Sequence, residues 1–257
     1  MNVANTIKKL GLEQAFDYLY KDPENNLLKL MNWADKFSDG EFVSQRKAIR
    51  EAIENPAHPY HDYILHIIHD IDPEVMKTLA VNFFINASLI GWSKQEENRA
   101  KYNCNVPWAI LLDPTSACNL HCTGCWAAEY GNKLNLTFDE IDSIIQQGKK
   151  LGVYMYIYTG GEPLTRKNDL IRLCEKHNDC VFLCFTNATL IDEKFADEML
   201  RVNCCQIPSS VKPFITVFAI CVPRSLCSPW TFKMMRNMWA DVLPEASGIC
   251  ISMQTGM

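Results

Sequence analysis

Two textures divide the chain. Up to about residue 103, apolar positions recur at helical spacing, as in "FVSQRKAIREAIE" and "YHDYILHIIHDI", with polar residues filling the opposite face. Asp22-Pro23 and Asp72-Pro73-Glu74 predict helix starts of one design. An acidic N-cap takes a free backbone N–H, and a proline follows that has no N–H to lose. The most apolar stretch, "VMKTLAVNFFINASLIGW", holds Lys77, Asn82, Asn86 and Ser88. A core-facing helix is expected there in preference to a membrane span.

From Val106, short apolar runs alternate with amphipathic segments. "WAILLDPT", "VYMYIYTGGEP" and "CVFLCFTNAT" predict three buried strands, each followed by a helix: "TFDEIDSIIQQGKKLG", "NDLIRLCEKHN" and "DEKFADEMLRV". The first of these helices opens with a capping box, Thr137 with Glu140, and closes at Gly152. Phe138, Ile141, Ile144, Ile145 and Leu151 make its apolar face. Three βα units with buried strands imply a parallel sheet with right-handed crossovers. The ligand site then collects at the carboxyl ends of the strands. Three stretches fall there: the cysteine loop after the first strand, "TGGEP" and "TNAT".

Composition narrows the function classes. With 48% apolar and 21% charged residues in 257, the chain has an ordinary globular balance. A net charge of −5 argues against nucleic acid as a partner. No basic segment leads into an apolar run at the N-terminus, so no signal peptide is read and a cytoplasmic location is expected. In that reduced compartment twelve cysteines are metal ligands or core fillers before they are disulfides. Cys174, Cys180 and Cys184, on a helix and around a buried strand, read as small apolar fillers. His58/His61 and His66/His69 are spaced to share helix faces, but no further ligand pattern completes a metal site around them.

The chemistry concentrates in "TSACNLHCTGCWAAEYG", where Cys118, Cys122 and Cys125 lie within eight positions. The C-x3-C-x2-C spacing lets a single loop wrap one compact inorganic centre. A structural zinc wants four protein ligands, and His121 or Cys104 would supply the fourth in a zinc-binding interaction module. An iron–sulfur cube takes four cysteines when it only stores or passes electrons. Three leave one iron without a protein ligand, open to a substrate or cofactor.

This loop after a first strand, with "GGEP" one βα unit later, resembles the radical S-adenosylmethionine (SAM) superfamily over about residues 106 to 203. The resemblance implies an α/β fold, a partial (βα) barrel of radical SAM type, here preceded by an all-α N-terminal domain. Residues 1–103 would be that helical domain and 104–203 the first three βα units of the core. Cys118, Cys122 and Cys125 would bind three irons of a 4Fe–4S cluster, and the amino nitrogen and carboxylate of SAM would chelate the fourth. Gly160, Gly161, Glu162 and Pro163 match the motif that holds the methionyl ammonium, and Asn187 stands where polar contacts to SAM are often placed. Many members carry an aromatic residue just before the third cysteine; here Gly124 is there, and Trp126 follows instead, as an adenine contact or a packed loop aromatic. One-electron reduction by an external donor of flavodoxin or ferredoxin type would cleave SAM to a 5′-deoxyadenosyl radical. An anaerobic source follows from an open iron. Glu129 and Tyr130, beyond the loop, would face a substrate or lie on the surface.

After "EMLRV" the periodicity stops. Residues 204–257 hold five of the twelve cysteines and six charged residues in 54, with no turn logic. An out-of-frame tail is expected. "MWADVLPEASGICISMQTGM", back-translated and read two bases later, allows V-G-G-C-I-A-G-G-K-R-Y-L-H-I-N-A-D-G-D. That peptide resembles the start of a SPASM extension, which binds auxiliary clusters in maturases and points toward peptide or cofactor maturation. A core of three units, with the rest lost, would be truncated and short of a working barrel.

Overall fold

The computed structural model describes residues 3–37, 43–123, 125, 131 and 133–202. These divide after Lys77 into two compact units.

The first unit is helical. It comprises α1 (Val3–Leu19), α2 (Pro23–Phe37), α3 (Val43–Glu54), α4 (His61–Asp70) and the start of α5 (Pro73–Ala80). Asp72 caps α5 as its sequence suggests, its Oδ1 accepting from Glu74 N at 2.9 Å and Val75 N at 3.2 Å. Leu19, Ala52, Ile53, Ile68 and Val75 are buried. Two of the four clustered histidines make local bonds: His58 Nδ1 accepts from Tyr60 N, and His61 Nδ1 lies 3.2 Å from Ala52 O.

The second unit begins inside the long apolar helix. A π-helical run, Val81–Gly91, follows α5 and leads into α6 (Trp92–Tyr102). The compact division therefore precedes the boundary expected at residue 103, and the reason is polar. Asn82 Nδ2 donates to Asn178 O at 2.8 Å and Cys180 O at 3.1 Å, Asn86 Nδ2 to Asp179 O at 3.0 Å, and Gln95 Nε2 to Gly152 O at 2.8 Å. All three amides are buried, and they satisfy carbonyls at the turns that lead into the strands. Pro73–Tyr102 is long and apolar enough to cross a membrane by length and composition alone. In this structure its buried amides are spent on the sheet unit's own backbone.

The sheet is parallel, in the order β1 (Ala109–Leu112), β2 (Met155–Tyr158) and β3 (Val181–Cys184), with Leu112 opposite Tyr158 and Tyr158 opposite Cys184. Helices α7 (Phe138–Leu151), α8 (Lys167–Lys176) and α9 (Glu193–Arg201) follow the strands in turn. The capping box forms as expected: Glu140 N donates to Thr137 Oγ1, and Thr137 N to the Glu140 carboxyl. Gly152 ends α7 at φ +98°, a conformation glycine takes without strain.

Strand alternation sorts the two faces of the sheet. Ile110, Leu112, Tyr156, Tyr158 and Phe182 join the core with Ile141, Ile145, Leu170 and Leu173 of the helices. Tyr158 and Phe182 stack with ring centroids 5.6 Å apart. Tyr156 fits because α7 carries Gly148, where a Cβ would stand 2.3 Å from the Tyr156 hydroxyl. Ala109, Leu111, Met155, Ile157, Val181 and Leu183 belong to the opposite face. The structure thus shows three βα units on a small parallel sheet, consistent with part of a (βα) barrel. Residues 203–257, on which the out-of-frame expectation falls, lie outside the described residues.

Candidate active site

Beyond Leu112 the chain enters the cysteine loop, and the two ends of that loop are stitched together. Ser116 N donates to Leu134 O at 2.8 Å, Leu136 N to Pro114 O at 3.1 Å, and Thr115 pairs with Asn135 as an antiparallel bridge. Arg166 braces this neck from the short 3₁₀ turn Pro163–Arg166, donating to Pro114 O at 2.9 Å and to Leu136 O. The loop therefore hangs from a fixed root.

Within it the three thiols are free. Cys122 is exposed, and Cys118 and Cys125 are half-buried. Leu120 N approaches Cys118 Sγ at 3.4 Å, and Cys125 N donates to Cys122 O at 3.2 Å. Among the described residues, no three His, Cys, Asp or Glu side chains converge at ion-ligating distance; the sulfurs share one loop without closing on one point. Gly124, Trp126, Glu129 and Tyr130 lie outside the described residues.

The second stretch is zipped directly to the root of the first. Thr159 N donates to Leu112 O at 2.9 Å, Gly161 N to Thr115 O at 3.0 Å, and Glu162 N to Ala117 O at 2.7 Å. This ladder runs strand pairing past the sheet and into the segment that precedes Cys118. It requires both glycines. Gly160 sits at φ +104°, and a Cβ on Gly161 would stand 2.2 Å from Ala117 O, a backbone atom unable to yield. Pro163 is buried as the first residue of the 3₁₀ turn.

Glu162 is 1% exposed, and its carboxyl is consumed inside the protein. Oε1 accepts from Leu164 N at 2.9 Å and from the Thr186 hydroxyl at 2.6 Å, and Oε2 accepts from Asn187 N at 2.7 Å. One side chain thus ties the turn after β2 to the segment after β3. Asn187 in turn reaches the cysteine loop. Its Nδ2 donates to Asn119 Oδ1 at 3.0 Å, its Oδ1 accepts from the Thr189 hydroxyl at 2.7 Å, and Asn119 Nδ2 donates back to Thr189 Oγ1 at 2.7 Å. The three strand-end stretches picked out from the sequence are therefore joined in one hydrogen-bonded frame.

Two contributors have no motif to announce them. Arg166 is visible in the sequence only as a basic residue after "GGEPLT". Asp113 had a signal, an acidic residue ending the apolar run "WAILL". Its Oδ1 is buried without a hydrogen-bond partner, and burial raises the carboxyl above the usual aspartate range. Gly160 packs against it: a Cβ on that glycine would stand 3.0 Å from Asp113 Cβ.

Residues 112–212 match the profile of the Radical SAM superfamily, a span that continues past Val202, the last described residue. This segment is a radical SAM domain. GTP 3′,8-cyclase of Clostridium perfringens is 31% identical over 101 residues, 37% of this chain and 31% of that protein. PqqA peptide cyclase of Bradyrhizobium diazoefficiens is 28% identical over 109 residues, 41% of this chain and 28% of that protein. AdoMet-dependent heme synthase of Methanosarcina barkeri is 30% identical over 111 residues, 42% of this chain and 32% of that protein. The chain thus spans about a third or less of the length of these curated relatives. No solved structure gave a significant match.

Radical SAM superfamily members are enzymes that bind a 4Fe–4S cluster and SAM. The residues present suit both groups. Three free thiols on one loop, Cys122 exposed and Cys118 and Cys125 half-buried, are the donor chemistry a cluster needs, and no disulfide consumes them. The Gly160–Gly161 turn leaves a bare backbone beside an orphaned carboxyl oxygen, which suits a ligand bearing an ammonium group.

Proposed function

We propose that this radical SAM domain holds a 4Fe–4S cluster on Cys118, Cys122 and Cys125 and binds SAM beside Gly160 and Gly161. The observation that carries the reading is the ladder from Gly161 N to Thr115 O and Glu162 N to Ala117 O. It fixes the glycine turn against the root of the cysteine loop, so a ligand seated on one lies next to whatever the other holds. When bound and given one electron by a donor, the cluster and SAM would supply reductive cleavage of SAM to methionine and a 5′-deoxyadenosyl radical able to take hydrogen from a substrate.

The protein's share is placement. The stitched neck keeps the loop root from wandering, the Asn119–Asn187–Thr189 network holds its first turn against the β3 segment, and Glu162 and Pro163 brace the turn from behind. Asn187 acts from that network. The open iron needs a one-electron donor of flavodoxin or ferredoxin type and a cytoplasmic, air-free setting. The named relatives include a peptide cyclase and a heme synthase, which favours a peptide or cofactor precursor as substrate, in the manner of SPASM-bearing maturases.

Anaerobic reconstitution of the full chain with iron and sulfide tests the reading. About four irons and four sulfides per chain are expected, with a brown colour and a reduced-state EPR signal that changes when SAM is added. Alanine at any one of the three cysteines should remove that signal. A colourless protein that retains zinc through purification would replace this reading with a structural metal module.

A further inference from the structure

Two carboxyl groups stand beside the Gly160–Gly161 turn, and the structure gives them opposite duties. Glu162 is the one the motif nominates for a ligand's ammonium. Yet it is almost wholly buried and already accepts three protein hydrogen bonds, from Leu164 N, Thr186 Oγ1 and Asn187 N. Removing it from that work would orphan three donors at once.

Asp113 has the reverse character. It follows Leu112 at the carboxyl end of β1, and strand alternation carries it to the face of Ala109 and Leu111, opposite the face that Ile110 and Leu112 pack against the helices. Its Oδ1 is buried and accepts nothing from the protein, while the residue as a whole remains half-buried. A buried acceptor without a donor is costly and calls for a reason. Its neighbour supplies one: Gly160, at φ +104°, has no side chain, and a Cβ there would stand 3.0 Å from Asp113 Cβ. Any side chain at position 160 would close the gap between this carboxyl and the turn.

The geometry points to Asp113 as the residue that receives the ammonium of the SAM methionyl group, with Glu162 as the brace that shapes the turn and makes no contact with the ligand. The assignment rests on the SAM reading above. The chemistry is a charge-assisted hydrogen bond, from a primary ammonium to a carboxyl oxygen that has no competing donor. The same bond would relieve the cost of leaving Oδ1 unpaired, so the protein holds in reserve an acceptor that only the ligand completes.

Asp113→Asn in the full, reconstituted chain is the test, because it keeps the shape and removes the charge. The SAM concentration at half-change of the cluster's EPR signal should rise about 10- to 100-fold, the range for loss of a charge-assisted bond. Iron and sulfide content should stay at the unsubstituted level. The unfolding temperature should hold or rise, since a strained carboxyl has gone; a purely structural aspartate would lower it. Binding of 5′-methylthioadenosine, which lacks the amino-acid part, should be unchanged by equilibrium dialysis. Asp113→Ala should reproduce the SAM defect if the asparagine variant fails to accumulate. Equal SAM binding in variant and parent overturns the assignment, as does equal weakening of both ligands, which would place Asp113 on the nucleoside. If the parent chain assembles its cluster but shows no response to SAM, the proposed function falls first and takes this assignment with it.

Discussion

Replacing Glu162 with alanine separates bracing from ligand contact without any cofactor present. The carboxyl accepts from two backbone N–H groups and one hydroxyl, and it is 1% exposed. The variant leaves those donors in a site that water reaches poorly, at about 1–3 kcal/mol for each group left unpaired. Some of this is recovered as the Thr186 hydroxyl rotates and water enters the space vacated. A net loss of about 3 kcal/mol is expected, or roughly 6–12 °C in the unfolding midpoint for a domain of this size. Circular dichroism on the cluster-free chain measures the midpoint, and hydrogen exchange should show the amides of Leu164 and Asn187 losing protection together. Glu162→Gln keeps an acceptor for Leu164 and Thr186 but turns an NH₂ toward Asn187 N, so it should recover only part of the loss. A midpoint within about 1 °C of the parent, with unchanged exchange at Asn187, would refute the bracing argument. It would return Glu162 to the role of ligand contact.

Four further outcomes follow from the same structure. Gly161→Ala places a methyl against Ala117 O and should cost about 1–3 kcal/mol, with iron retained after reconstitution falling below the parent's. Iodoacetamide on the cluster-free chain at about pH 8 should modify Cys104 and Cys122. It should spare Cys174 and Cys180, both buried, the Cys180 thiol being also pushed well up by burial; peptide mapping reads the sites, and cluster loading should then shield Cys122 and not Cys104. For Asp142, burial works to raise the carboxyl, but hydrogen bonds from Lys176, His177 and Gln146 win and hold it below its ordinary 3.8. Its stabilisation is therefore complete above that value and fades as pH falls through the lower folded pKa, so Asp142→Asn should flatten the acid limb of a pH–stability curve below about pH 4. Tyr156→Phe removes a buried hydroxyl placed 3.0 Å from both Ile145 O and Val153 O and should cost about 1 kcal/mol by urea unfolding.

What the sequence made legible was local. The capping box at Thr137 and Glu140, the cap at Asp72 and the glycine stop at Gly152 are decided by neighbours within a few residues, and each formed as its residues suggest. The three strands were legible because each is apolar on both sides, as a strand buried on both faces must be; β2 and β3 are largely buried as expected, whereas β1 is only half-buried over Ala109, Ile110 and Leu111. The cysteine loop and the glycine turn were legible because their chemistry restricts residue type. What escaped is long-range pairing. Asn82 and Asn86 lie more than ninety positions from the carbonyls they satisfy, and nothing near them in the chain distinguishes them from exposed amides. The division after Lys77 follows from those bonds. Glu162 shows the converse: its motif marked it as important, but only its donors, two of them 24 and 25 positions away, reveal what it does.

The approach of Gly91 to Gly152 sets a rule for recombining this molecule. A Cβ on either residue would stand 2.6 Å from the other's carbonyl oxygen, so two backbones touch where no side chain intervenes. Neither position tolerates an independent change, and no compensating substitution on the opposite side can make room. A chimera that imports residues 1–103 from another protein would separate Gly91 from the Gly152 backbone it touches. A crossover placed before Thr78 would keep them together, and such a graft should express where the longer one aggregates.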